Sequence, residues 1–287
     1  MRDVFGIKAI YTSSASGDDW DNNWDIPRMM TSVKVDPDEP KAKMRGSGII
    51  DIKNGTMTMT GSPRYYIHQH NKNVEFTSYF KLNNWQNPPK SHSGFTMVTR
   101  SNHHLYKDDP CSARSYYCRL WNNGEIGFQQ EYRHGGDGVS YSGSKRVSLY
   151  ANGIPKNKWI GMKFCVLDKN NETILQIYVD ETEGRNGGSW KLIHEVNALI
   201  FTKADPCNGP KPIPDGNVSF IRTDAADTVQ VKWASIREIT DSEPDTQTES
   251  SPITEILDTT VGGIPLYLLL IPIIILIIGI ILLLYII

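Results

Sequence analysis

Nine polar side chains on strand-like segments of this chain fall on the same side of a polar/apolar alternation, and together they could grip an extended polar polymer. In 94–100, Phe95 and Met97 take the apolar side and leave Arg100 opposite. In 114–121, Tyr116, Cys118 and Leu120 do the same and leave Tyr117 and Arg119. In 125–133, Ile126 and Phe128 leave Gln129, Glu131 and Arg133. Lys163 lies opposite Met162 and Phe164, and Gln176 and Tyr178 lie opposite Leu175 and Ile177. Tyrosine rings can stack on sugar faces, glutamine bonds hydroxyls, and the arginine fork donates two parallel hydrogen bonds to a carboxylate. An excess of cations over the single Glu131 points to an acidic polysaccharide; a merely solvated polar face is the bland alternative.

The same stretches carry groups that could move protons. Ser101-Asn102-His103-His104 follows Arg100 directly, and His134 follows Arg133. With Tyr117 and Arg119 these make a candidate catalytic set (His103, His104, His134, Tyr117, Arg119). An arginine would neutralise a uronate carboxylate while a histidine or tyrosine shifts protons, the chemistry of a polysaccharide lyase. Glycoside hydrolysis fits less well, because Glu131 has no second carboxylate at a strand spacing that would bring the pair to about 5 Å. Two metal readings are weaker: His68 and His70 share one face of a strand and suit zinc or copper, while Asp224 and Asp227 could hold a structural calcium ion. The expectation is that the chain carries no metal and needs no other cofactor.

Strands must position these residues. Period-2 runs occur at 55–60, 74–82, 94–100, 114–121, 125–133, 159–167, 173–180, 190–196 and 229–239, with no helical period sustained over three turns before the C-terminal region. Asn123-Gly124 marks a tight hairpin and Asp168–Glu172 a short polar loop. About ten strands joined by frequent turns predict an all-β, two-sheet antiparallel β-sandwich. Nothing divides residues 1–240, so the chain reads as one ectodomain (1–240), an acidic Ser/Thr/Pro linker (241–260) and a transmembrane helix (261–287). A formal charge of −2 with 22% charged residues excludes the basic excess of a nucleic-acid binder.

Lys156–Phe164, Gln176–Asp180, Gly187–Trp190, Ser219–Asp224 and Val231–Arg237 resemble the concanavalin A-like lectin/glucanase superfamily in strand order and aromatic placement. More narrowly the chain is similar to uncharacterised surface-type jelly rolls found in archaea. The likeness covers most of residues 60–240. It implies a jelly roll whose concave sheet grips a sugar polymer, and it says more about fold than activity. The sequence departs from the enzymes of that superfamily: the E-x-D-x-x-E run of laminarinase-type members is missing, and so is the Gln-x-His of alginate lyases, since Gln69 and His70 are adjacent. An adhesive envelope protein with no site at all is the third reading.

The expected address is the outer cell surface. Ile264–Ile287 is uninterrupted by charge and long enough to span a hydrocarbon core about 30 Å thick. The linker before it holds six acidic residues and no Lys or Arg, which places the domain on the side that positive charge avoids. Sequons at Asn54, Asn171 and Asn217 suit an exported chain. Cys111 and Cys207 lie in polar turn-rich loops and predict a disulfide, whereas Cys118 and Cys165 sit in apolar strands as buried thiols. The first residues show no signal-peptide pattern, which keeps a cytosolic tail-anchored protein as the competing reading.

Overall fold

The computed structural model describes residues 1–85, 90–103, 109–135, 141–240, 260–261 and 264–265. Contacts divide the chain into two units, Met1–Pro244 and Asp245–Ile287.

In the first unit, strands β1 (Trp20–Asp21), β2 (Arg28–Met30), β3 (Lys34–Asp36), β4 (Glu39–Lys53), β5 (Thr56–Asn71), β6 (Val74–Trp85), β7 (Gly94–Ser101), β8 (Ser115–Trp121), β9 (Glu125–Glu131), β10 (Lys145–Ser148), β11 (Trp159–Lys169), β12 (Glu172–Asp180), β13 (Lys191–Asn197), β14 (Gly216–Asp224) and β15 (Ala226–Glu238) form one hydrogen-bonded antiparallel sheet. Its main path runs β10-β9-β8-β7-β14-β5-β15-β6-β11-β12-β13. The sheet folds over to pack against itself. Phe80 on β6 stacks on Phe95 of β7 with ring centroids 4.3 Å apart, and Phe128 on β9 meets Phe164 of β11 at 6.0 Å. A front layer (β10, β9, β8, β7, β14) therefore lies on a back layer (β15, β6, β11, β12, β13), with one apolar core between them. This is the two-layer antiparallel sandwich expected from the alternation.

The long strands β4 and β5 belong to both layers. Residues 56–61 of β5 pair with β15 in the back layer, and 64–71 pair with β14 in the front. At the crossing point Gly46, Gly48 and Gly61 take positive φ. Gly48 has φ +133°, and a Cβ built there would sit 2.1 Å from the Thr60 carbonyl oxygen, so only glycine fits.

The N-terminal segment closes the outer side of the back layer. Tyr11 is buried with Cys165, Leu167, Tyr178 and Ile239. Its amide and that of Ile10 donate to Glu75, a fully buried carboxylate that also takes Lys163 Nζ at 2.7 Å and Arg237 Nη2 at 3.0 Å. Cys111 and Cys207 form a disulfide with Cα atoms 5.8 Å apart, and Cys118 and Cys165 are buried free thiols, as their contexts predicted.

In the second unit, β16 (Thr260–Val261) and β17 (Ile264–Pro265) pair. The rest of the expected linker and membrane span lies outside the described residues, among which no helix is long and apolar enough to cross a membrane.

Replacing Gly48 by Ala forces a Cβ against backbone at a positive φ. The substitution is expected to cost about 2–4 kcal/mol of stability, read from urea unfolding, with secondary structure retained.

Candidate functional site

Directly opposed residues of an antiparallel ladder point to the same side, so register alone can assemble a surface from distant sequence. Across the outer face of the front layer, Arg45 of β4 opposes Arg64 of β5, and Arg64 opposes Arg222 of β14. Arg222 opposes Thr96 of β7, Thr96 opposes Arg119 of β8, Arg119 opposes Gly127 of β9, and Gly127 opposes Arg146 of β10. One row perpendicular to the strands thus carries Arg45, Arg64, Arg222, Arg119 and Arg146. At about 4.8 Å per strand it is roughly 29 Å long.

Two carboxylates hold the middle and one end of this row. Asp224 accepts from Arg222 Nη2 at 2.7 Å and lies 3.3 Å from Arg119 Nη2, while Glu125 takes Arg146 Nη1 at 3.0 Å. Burial works against the Arg222 charge, but Asp224 outweighs it and keeps the guanidinium above its ordinary range. Arg146 stands 3.9 Å over the Trp121 ring and Arg119 5.8 Å from it. At the other end, the buried Nε atoms of Arg45 and Arg64 make no hydrogen bond among the described residues. Arg119, itself buried, also donates to Thr96 Oγ1 at 2.8 Å and to His92 O at 3.3 Å, so among the described residues the row's unmet donors lie at the Arg45–Arg64 end.

The next row is aromatic: Tyr66 opposes Phe220, Phe220 opposes Val98, Val98 opposes Tyr117, and Tyr117 opposes Gln129. Tyr66 and Phe220 stack at 4.5 Å, and Tyr66, Tyr117 and Phe220 are fully buried. The two tyrosine hydroxyls end on a polar cluster. Tyr117 donates to Glu131, and Tyr66 Oη lies 2.8 Å from His103 Nδ1. His103 Nε2 is 3.6 Å from Glu131 Oε2, and His134 Nδ1 is 3.7 Å from Glu131 Oε1. Burial would raise the Glu131 carboxyl, yet the His103 and His134 imidazoles beside it and the Tyr117 hydroxyl bonded to it overturn that and hold it at about 2. Burial lowers His103 below the usual imidazole range. His103, Glu131 and His134 form a group able to hold a metal ion, their ligand atoms all within 4.8 Å of one another.

The sequence-predicted set is divided by the fold. Tyr117, Arg119, Gln129, Glu131 and the histidines His103 and His134 come together on or beside the front face; Arg133 follows β9 next to them; His104 lies outside the described residues. Four of the expected residues do not share that face. Arg100 has φ +45° at a register slip between β7 and β14, which takes it off the alternation. Its buried guanidinium instead bonds Lys72 O, Asp168 Oδ1, Ile213 O and Asn73 Oδ1 at 2.5–3.1 Å, tying loops together. Lys163, Gln176 and Tyr178 do face away from the core, but from the back layer. There Lys163 is spent on Glu75, and Gln176 and Tyr178 are covered by Tyr11, whose hydroxyl donates to Gln176 Oε1 at 2.6 Å. Tyr117 offers no ring to solvent.

The weaker calcium candidates are committed to other partners. Asp224 is committed to Arg119 and Arg222, and Asp227 accepts from Asn84. His70 is exposed beside Asp215 at 3.7 Å, and His68 sits near Lys43 and Arg45, with burial the main cause of its lowered pKa. The sequon residues Asn54, Asn171 and Asn217 are all exposed. Arg45, Arg64, Arg222 and Arg146 escaped the reading from sequence. A signal for three of them existed in the alternations Lys41–Arg45 and Arg64–His68 and in Ser219–Asp224.

Glu131 has a folded value of about 2 against an ordinary 4.5, so its contribution to stability is present above the ordinary value and fades as pH falls toward 2. Wild type is expected to exceed Glu131→Gln by about 2–4 kcal/mol near neutrality, the gap shrinking below about pH 4, in urea unfolding followed across pH.

No family model and no curated protein matches the chain. Among solved structures it is similar to the exoplasmic/lumenal domain of VIP36 in its Ca2+/Man3GlcNAc-bound form, at 12% identity over 78% of this chain and 95% of that one, with a TM-score of 0.46. It is also similar to the carbohydrate-binding module CBM66 from Bacillus subtilis, at 11% identity over 69% and 96% with a TM-score of 0.45. A third is a legume lectin-like domain from Entamoeba histolytica, at 12% identity over 74% and 98% with a TM-score of 0.42.

Proposed function

We propose that this protein binds an acidic polysaccharide along the arginine row of its front layer. The observation that carries the reading is the row itself: five arginines, contributed by strands from β4 to β10, arrive on one line because each pairing is in register. A merely solvated face gives no reason for one cation type to recur across strands so distant in sequence. Arginine's planar fork suits carboxylate or sulfate groups repeated along a polymer. The sequence resemblance to the concanavalin A-like superfamily favours sugars over other polyanions, and an overall charge of −2 argues against general attraction to nucleic acid.

The same reading places the domain at a cell surface. The charge-free run Ile264–Ile287 supplies a bilayer anchor, the acidic linker keeps it on the outer side, and the disulfide suits an oxidising compartment. Tethered in this way, the domain captures polymers close to its own membrane. Calcium, if it has a structural part, is not needed to explain the row.

Affinity electrophoresis of the chain through gels containing alginate, polygalacturonate, a sulfated glycan or neutral laminarin tests the proposal. Retardation is expected in the acidic gels only and should weaken as salt rises. Arg64→Ala and Arg146→Ala should each weaken it by about tenfold. Equal retardation by neutral glycan, or binding indifferent to both substitutions, would overturn the reading. Unsaturated uronate products appearing in the same mixtures would move the assignment to a lyase.

A further inference from the structure

We infer that His103, Glu131 and His134 form a binding site for a divalent d-block cation, zinc being the ion their donors fit best. His103 follows β7, Glu131 ends β9, and His134 lies three residues on, so the site joins two strand ends to the loop beyond. Two imidazole nitrogens and one carboxylate form the donor set of zinc-type sites, whereas calcium and magnesium take oxygen ligands.

The geometry is close to what such an ion requires. With metal–ligand bonds of about 2.0–2.1 Å, tetrahedral ligands stand about 3.4 Å from one another. Here His103 Nε2 to Glu131 Oε2 is 3.6 Å, and His134 Nδ1 to Glu131 Oε1 is 3.7 Å. The widest separation in the group stays within 4.8 Å. His134, whose side chain is 47% exposed, has room to move toward the other two ligands, while His103 and Glu131 are held in the interior at 1% each.

The surroundings orient the ligands as a metal site demands. Tyr66 Oη, 2.8 Å from His103 Nδ1, can accept the proton of that nitrogen and so turns Nε2 toward Glu131. Tyr117 holds the Glu131 carboxylate from the strand beside it. His103 and His134 meet edge to face with ring centroids 4.7 Å apart, so both imidazoles stand beside the shared carboxylate. Three protein ligands leave a fourth position for water or an oxygen of a bound molecule. Glu131 opposes Ser115, four residues along β8 from Arg119, so the site stands on the same face as the arginine row and about 13 Å along the strand from it.

The test uses the full-length chain, stripped with chelator and titrated with Zn2+ by calorimetry, and with Co2+ followed by visible absorption. One ion per chain is expected, with the intense d–d band of a low-coordinate cobalt site. His134→Ala, which removes an exposed ligand and should leave the fold intact by circular dichroism, should weaken binding by about tenfold or more and abolish the band, and Glu131→Gln should do the same. His70→Ala, a distant exposed histidine, should change nothing. Absence of saturable binding, unaltered affinity in His134→Ala, or a loss in His70→Ala equal to that in His134→Ala would each overturn the inference.

Discussion

The antiparallel ladder of β4 on β5, which runs without a register shift, is the constraint on which the rest of the molecule depends. One strand of 16 residues pairs with the back layer in its first part and the front layer in its second, and its partner β4 follows it from Thr56 to Ile67. Glycines with positive φ at the crossing let both strands turn without breaking the ladder. Because hydrogen bonding is continuous from β13 to β10, register set at this crossing propagates outward. A slip of one residue would invert every side chain between the core and the surface. Arg64, Arg222 and Arg119 owe their common line to that propagation.

Burial of charge follows a different logic on the two outer faces. On the back layer, Glu75 collects Lys163, Arg237 and two amides, and the N-terminal segment seals the group in. The buried charges of this group answer one another, so this part of the face is closed. On the front layer, Asp224 and Glu125 answer only part of the arginine row, and the aromatic row beside it is buried with its hydroxyls turned onto His103 and Glu131. A buried carboxylate is costly unless polar groups surround it, and Glu131 has the Tyr117 hydroxyl bonded to it and two imidazoles within 3.7 Å. The front face thus pairs a rigid polar cluster with a row of cations whose unmet donors, among the described residues, are those of Arg45 and Arg64.

Alternation was legible strand by strand. Phe95 and Met97, Cys118 and Leu120, Ile126 and Phe128, Met162 and Phe164, and Leu175 and Ile177 all enter the core, and their neighbours face out as the period of two demands. The loop cysteines were legible too, because a thiol in a polar turn has no packing role. Arg100 was misread because a bulge breaks the period, and nothing local in its run of residues announces one. Lys163, Gln176 and Tyr178 were grouped with Tyr117 and Arg119 because alternation distinguishes inside from outside but not one layer from the other.

By itself, then, the sequence determined the β class, the core residues of most strands, the disulfide partners and a charge-free C-terminal run, since each depends on residue type and short-range periodicity. Only the tertiary structure decided which outward-facing residues share a surface. Strand order places β14 between β7 and β5, and β4 beside β5, pairings separated by up to about 150 positions along the chain. Arg45, Arg64, Arg222, Arg119 and Arg146 became one row, and His103, Glu131 and His134 one cluster, through those long-range registers, which no local pattern encodes.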